Sequence, residues 1–213
     1  MKFVLIALFV LITGCKQEKK YHDLSDNSVI QDLPSGVASV LEFQKELNEE
    51  YKDPKTSPLY NKDRKDFTGL DFFMPDTTFI VTAKFVRTPE ALPFLMPTTT
   101  DRKSTEVVYG IAYFKLKGKE YQLEVYQNPE LTARDGFKDY LFLPFLDATN
   151  GKDTYTGGRY IDLRIPNSDT ISIDFNKAYN PYCAYNKKYS CPIVPTVNTL
   201  ELSVLAGVKS FKK

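Results

Sequence analysis

The sequence predicts a mainly β protein with one N-terminal helix, its antiparallel strands packed as a roll, barrel or sandwich. Three observations predict this. From residue 79 onward apolar side chains recur at alternate positions, glycine, proline, asparagine and aspartate separate these short runs, and only the stretch 39–52 carries apolar residues at helical spacing. A chain of 213 residues with 42% hydrophobic content holds enough apolar material for one core.

The elements follow in order. Lys2 precedes the apolar run Phe3 to Ile12, and Leu11, Ile12, Thr13 and Gly14 then lead into Cys15. A charged start, an apolar stretch and small residues before a cysteine predict a lipoprotein signal peptide over residues 1–14, resembling the bacterial lipobox. The run is too short to span a bilayer, which takes about 20 apolar residues. Acyl chains on Cys15 are therefore the expected membrane attachment. Residues 15–36 are polar and aperiodic and read as a tether. Lys16 stands where enterobacterial inner-membrane lipoproteins carry aspartate, so the outer membrane is favoured over the inner.

Residues 37–213 are expected to form a single β-rich domain. Ser39 and Glu42 fit a capping box. Val40, Phe43, Leu47 and Tyr51 continue at helical spacing, and Pro54 stops the run, predicting a helix over 39–52. Strands follow over 79–87, 106–117 and 119–127, the last two joined as a hairpin through Lys117, Gly118 and Lys119. The middle one is apolar on both sides, as a central strand is. Leu141 to Leu143, 159–165, 170–176 and 199–205 bring the total to about seven strands. Asp147, Asn150, Gly151 and Asp153 read as a turn, their spacing not being that of an EF-hand loop.

Composition excludes several functions. With 28 basic against 27 acidic side chains, no basic surface for nucleic acid is expected. The one histidine, His22, lies in the tether, which removes triads, histidine-ligated zinc and histidine general-base chemistry from the folded body. With Cys15 lipidated, Cys183 and Cys191 remain as a pair, and export predicts a disulfide between them. A nucleophilic or redox thiol is the alternative.

Candidate site residues fall in the last third. Pro166 to Asp169 is turn chemistry, and pairing Ile165 with Ile171 across it keeps both apolar sets on one face. Asp162 would then oppose Asp174, two carboxylates needing a shared proton, a cation or an arginine such as Arg159 or Arg164.

Several segments carry a family resemblance: Leu143 to Thr149 (LPFLDAT), Thr154 to Tyr160 (TYTGGRY), Asp174 to Tyr185 (DFNKAYNPYCAY), Tyr189 to Pro192 (YSCP) and Asn198 to Leu200 (NTL). Together they closely resemble the domain-of-unknown-function 1684 family, from about Ser57 through Gly207. The resemblance implies a shared signature at Arg159, Asp174, Asn176, Tyr179, Asn180, Cys183 and Cys191, and a frequent lipoprotein form in Bacteroidota-like bacteria. It supplies no reaction. Gly207, Val208 and Lys209 depart from the family, which places an acid after the glycine.

The expected function is an acyl-anchored cell-envelope binding module. Its ligand or partner, periplasmic or at the surface, would meet a tyrosine- and asparagine-lined face around residues 147–191 that includes Asp147, Arg159, Asp162, Asp174, Asn176, Tyr179 and Asn180, with tyrosine supplying flat amphipathic contact. No cofactor is expected under that reading. A carboxylate hydrolase using Asp162 and Asp174, with Arg159 orienting an anionic group and Ca²⁺ or Mg²⁺ assisting, is the alternative. The two part on one point: the hydrolase needs Arg159, Asp174 and a further carboxylate to converge on a concave pocket.

Overall fold

The computed structural model describes residues 35–212. The leader, Cys15, His22 and nearly all of the tether lie outside them. The fold is mainly β: one long helix packs beside an antiparallel sheet that curls into a half-barrel.

Helix α1 spans Ser35–Lys52, starting before the expected capping box. Ser39 accordingly sits inside the helix, and its hydroxyl accepts from Lys177 Nζ at 2.6 Å instead of capping. The apolar stripe buries Leu47 and Tyr51 against Leu59, Leu70, Phe72, Tyr185 and Val208. Each fully buried side chain of this size contributes roughly 1.5–3 kcal/mol. A short helix α2 follows at Asn61–Lys65.

The strands are β1 (Ile80–Arg87), β2 (Phe94–Pro97), β3 (Lys103–Leu116), β4 (Lys119–Gln127), β5 (Tyr140–Asp147), β6 (Arg159–Arg164), β7 (Thr170–Asp174) and β8 (Thr199–Leu200), with a one-turn helix α3 at Pro129–Thr132. Their order across the sheet is β6-β5-β4-β3-β1-β7, with β2 on β3 and β8 parallel to β5. The β3–β4 hairpin forms where the alternation and turn residues place it, and Lys117 and Gly118 both take positive φ, 49° and 83°. That backbone matches the twist of a tight hairpin. Strand β2 is the element the sequence pattern missed, and the stretch after Leu200 leaves β structure far earlier than the alternation over 199–205 predicts.

The expected hairpin between the two isoleucine-rich strands does not exist. β6 pairs with β5, so Asp162 lies opposite Phe142, whereas β7 pairs with β1, so Asp174 lies opposite Ile80. The two strands occupy opposite ends of the sheet, and the turn between them bridges the gap left by the curl. Alternation keeps apolar residues inside for either pairing, so local pattern does not choose the partner. The free edge of β6 is met instead by Tyr179, whose backbone exchanges N–H···O bonds of 2.9 and 3.0 Å with Tyr160.

Inside the curl lies the main core, including Phe85, Phe114, Leu123, Leu143, Phe145, Ile161, Ile173 and Phe175. Between β4 and β5 the register gives a single residue pair, Tyr126 with Phe142. Buried Asn198 closes the gap: its amide donates to Glu124 O and Pro144 O, both at 2.8 Å, and its oxygen accepts from Glu124 N at 2.8 Å. No described helix is long and apolar enough to cross a membrane.

Candidate functional site

Strand β6 sends Ile161 and Leu163 into the core and turns Tyr160, Asp162 and Arg164 to the other face, as alternation requires. On that face the sheet, α1 and the segments around 179–182 and 190–192 enclose a cavity of about 340 Å³. This is within the range of small-molecule sites. Phe43, Leu47 and Glu50 line it from the helix, Tyr160 and Asp162 from β6, and Tyr179, Tyr182, Ser190 and Cys191 from the remaining walls.

Asp162 is the focus. Its Oδ1 accepts the hydroxyls of Tyr179 at 2.6 Å and Tyr140 at 2.8 Å. Among the described residues none donates a hydrogen bond to Oδ2. The carboxyl is raised above its ordinary range, mainly because the surrounding protein strips water from it, while the two tyrosines and Arg164 oppose the shift. By surface area Asp162 is nonetheless an exposed residue, open to solvent on the cavity wall. Arg164 itself is engaged with Asp139 Oδ1 at 2.8 Å and Gly136 O. Across the cavity the Tyr182 hydroxyl donates to Glu50 Oε1. The rings of Tyr160 and Tyr179 meet at 88° with centroids 6.0 Å apart, forming a corner.

The wall at Ser190 and Cys191 is pinned to the β2–β3 connection. Arg102 Nη2 donates to Ser190 O at 2.9 Å, Thr99 N to Cys191 O at 2.9 Å, and Cys191 N to Thr99 Oγ1 at 3.1 Å. Cys183 and Cys191, the pair expected as a disulfide, are present as two thiols in contact. The Cys183 amide donates to Cys191 Sγ at 3.2 Å. Cys183 is half-buried and its thiol is lowered to about 6, chiefly by the hydrogen bond from Cys191. Buried Cys191 is pushed up by that same bond and by desolvation.

Of the seven candidate residues, Asp162 and Tyr179 come together on the cavity, and the others serve the fold. Arg159 is wholly buried and pairs with Asp147 Oδ2 at 2.7 Å. Its other Nη protons go to the carbonyls of Val204, Ala206 and Val208, so it gathers the C-terminal segment. Gly207 lies in that segment at φ 78°, where a Cβ would stand 2.7 Å from Ala178 O. Asp147 also accepts the Thr149 amide and hydroxyl, anchoring the turn that runs through Asn150. Asp174 caps the 3-10 turn Phe175–Lys177 by accepting from Asn176 N, and Asn176 clasps the backbone of Asp76 from both sides. Asn180 donates to Lys209 O and Tyr185 Oη. Arg159 and Asp174 therefore do not converge with a further carboxylate on a pocket. Among the described residues, no three His, Cys, Asp or Glu side chains cluster as metal ligands.

Sequence reasoning did not single out Glu50, Tyr140, Tyr160 or Tyr182. Tyr160 and Tyr182 lie within the quoted family-like segments, and Glu50 left its own signal, a carboxylate on the same stripe as Phe43 and Leu47 at helical spacing.

The family described as protein of unknown function DUF1684 matches residues 65–209, most of the folded body. The chain belongs to this family. Within DUF1684, the match takes in β1 to β8 and the Arg159 latch; α1, which carries Phe43, Leu47 and Glu50, precedes it. The fold is similar to that of an uncharacterised protein of Haloarcula marismortui solved in solution, at 31% identity and a TM-score of 0.64, covering 80% of this chain and 92% of that one. No curated protein matches the chain.

Proposed function

We propose that this DUF1684 chain is a binding module that takes a small ligand into the cavity between α1 and β6, and that acyl chains on Cys15 hold it to the cell envelope. The observation that carries the reading is Asp162: a carboxylate kept on a cavity wall, one oxygen tied to two tyrosines, its charged form disfavoured by desolvation. Folding alone does not call for a carboxylate here, since a neutral amide oxygen would accept the same two hydroxyls. Groups held against their intrinsic preference cluster at functional sites. The walls add aromatic area on several sides, which suits ligand contact.

The hydrolase reading has less support. It needed Arg159 beside the carboxylates, and Arg159 is spent on Asp147 and three carbonyls. The test of binding is thermal unfolding of the full chain against panels of cell-envelope sugars, amines and small acids, because a ligand that prefers the native state raises the midpoint. Leu47→Trp, which fills the cavity from α1 and whose retained fold is checked by circular dichroism because Leu47 also packs in the cluster under α1, should abolish any shift found. A shift that persists in Leu47→Trp places the ligand elsewhere and overturns the reading.

A further inference from the structure

We infer that the cavity selects a small organic ammonium ion; the inference rests on the binding reading above and names its ligand class. Most hydrogen-bond donors around the cavity are already committed. The Tyr179 hydroxyl is given to Asp162 Oδ1, the Tyr182 hydroxyl to Glu50 Oε1, and the Tyr160 hydroxyl to Pro192 O. The Ser190 hydroxyl sits among Thr98 Oγ1 at 2.8 Å, Thr100 Oγ1 at 2.6 Å and Arg102 Nε at 3.1 Å. A phenol donates one proton, so these tyrosines have none left for a guest.

What the cavity still offers is of one kind. The second oxygens of Asp162 and Glu50 carry no hydrogen bond from the described residues, and Phe43, Tyr160, Tyr179 and Tyr182 put aromatic rings in the walls. No lysine or arginine lines the cavity. An acceptor-only lining with two carboxylates and aromatic walls is complementary to a cation that carries N–H donors. It is poorly matched to an anion, which would meet two like charges and no donor. A bound ammonium would also relieve the desolvation cost at Asp162, because an opposite charge at close range favours the ionised carboxylate.

A matched pair of probes separates the ligand class from the existence of the site. By calorimetry on the full chain at neutral pH, 1,4-diaminobutane should bind saturably, whereas 1,4-butanediol, of equal length and neutral, should not. Asp162→Asn keeps an oxygen for both tyrosines, so the fold is retained, and it should weaken the diamine by at least about tenfold; Glu50→Gln should weaken it in the same direction. If the diol binds as tightly as the diamine and both are lost in Leu47→Trp, the charge preference is wrong and the cavity reading stands. If neither probe binds, or the diamine binds both variants as tightly as it binds the unaltered chain, the ammonium assignment falls, while the cavity reading is decided separately by the panel of sugars and small acids.

Discussion

Arg159 Nη2 meets Asp147 Oδ2 at 2.7 Å with both side chains fully removed from solvent. A buried ion pair is tolerated only where the remaining protons and lone pairs are answered. Here the turn at Thr149 and the carbonyls of 204–208 answer nearly all of them, leaving Nε without a partner. The pair thus joins β5, β6 and the C-terminal segment into one unit, and that segment in turn carries Val208 into the cluster under α1.

Removing one member strands the other charge. Asp147→Asn is expected to lower unfolding free energy by about 3–5 kcal/mol, and Arg159→Lys, which loses the planar fork, to lower it substantially as well. Urea unfolding followed by circular dichroism measures both; a loss below about 1 kcal/mol for Asp147→Asn would contradict the latch.

Asn198 stitches β4 to β5 with three bonds where the strands barely pair. Asn198→Ala leaves buried carbonyls at Glu124 and Pro144 with a lost donor, at about 1–3 kcal/mol per stranded group. Amide exchange should show the β4–β5 seam opening before β3–β4. Uniform exchange across both seams is the contrary result.

The contrast between those seams marks what the sequence could tell. The β3–β4 hairpin is legible because alternation, turn residues and pairing are all local: Lys117 and Gly118 fix the turn and the register runs from it. Strands β6 and β7 are equally legible as strands, but their partners are β5 and β1, and no local signal distinguishes a tight turn at Pro166 to Asp169 from a bridge across a curled sheet. The site divides the same way. Asp162 stands out as a carboxylate between Ile161 and Leu163, and Tyr179 comes from the family signature, while Glu50 and Tyr182 reach the cavity only through the packing of α1 against segments more than 100 residues away.

The thiol pair carries a directional prediction. With Cys191 donating to it, Cys183 should alkylate with a pH midpoint of about 6 in the reduced protein, and Cys191 should stay unreactive until the chain unfolds. Mass spectrometry after limited iodoacetamide treatment locates the adduct. Equal labelling of both cysteines would refute the assignment. In the exported protein a disulfide between them is expected instead, and labelling without reductant should then be negative.

For Asp162 the sign follows from its raised folded-state pKa. The native state holds this proton to higher pH than the unfolded chain, so the group favours folding when protonated and penalises it as pH rises through the folded value. The charged neighbours on its own face and across the cavity are Arg164 and Glu50, and neither is altered in Asp162→Asn. That variant should therefore gain melting temperature relative to wild type between about pH 4 and pH 7, with the gain growing as pH rises. A variant less stable than wild type throughout would mean that the carboxylate supports the fold.

The most direct measurement is the carboxyl carbon shift of Asp162 followed by NMR across pH, assigned by its disappearance in Asp162→Asn. The account predicts a midpoint above the ordinary aspartate value of about 3.9, moving down when an ammonium ligand fills the cavity. A midpoint at or below the ordinary value, unmoved by any ligand, would contradict it.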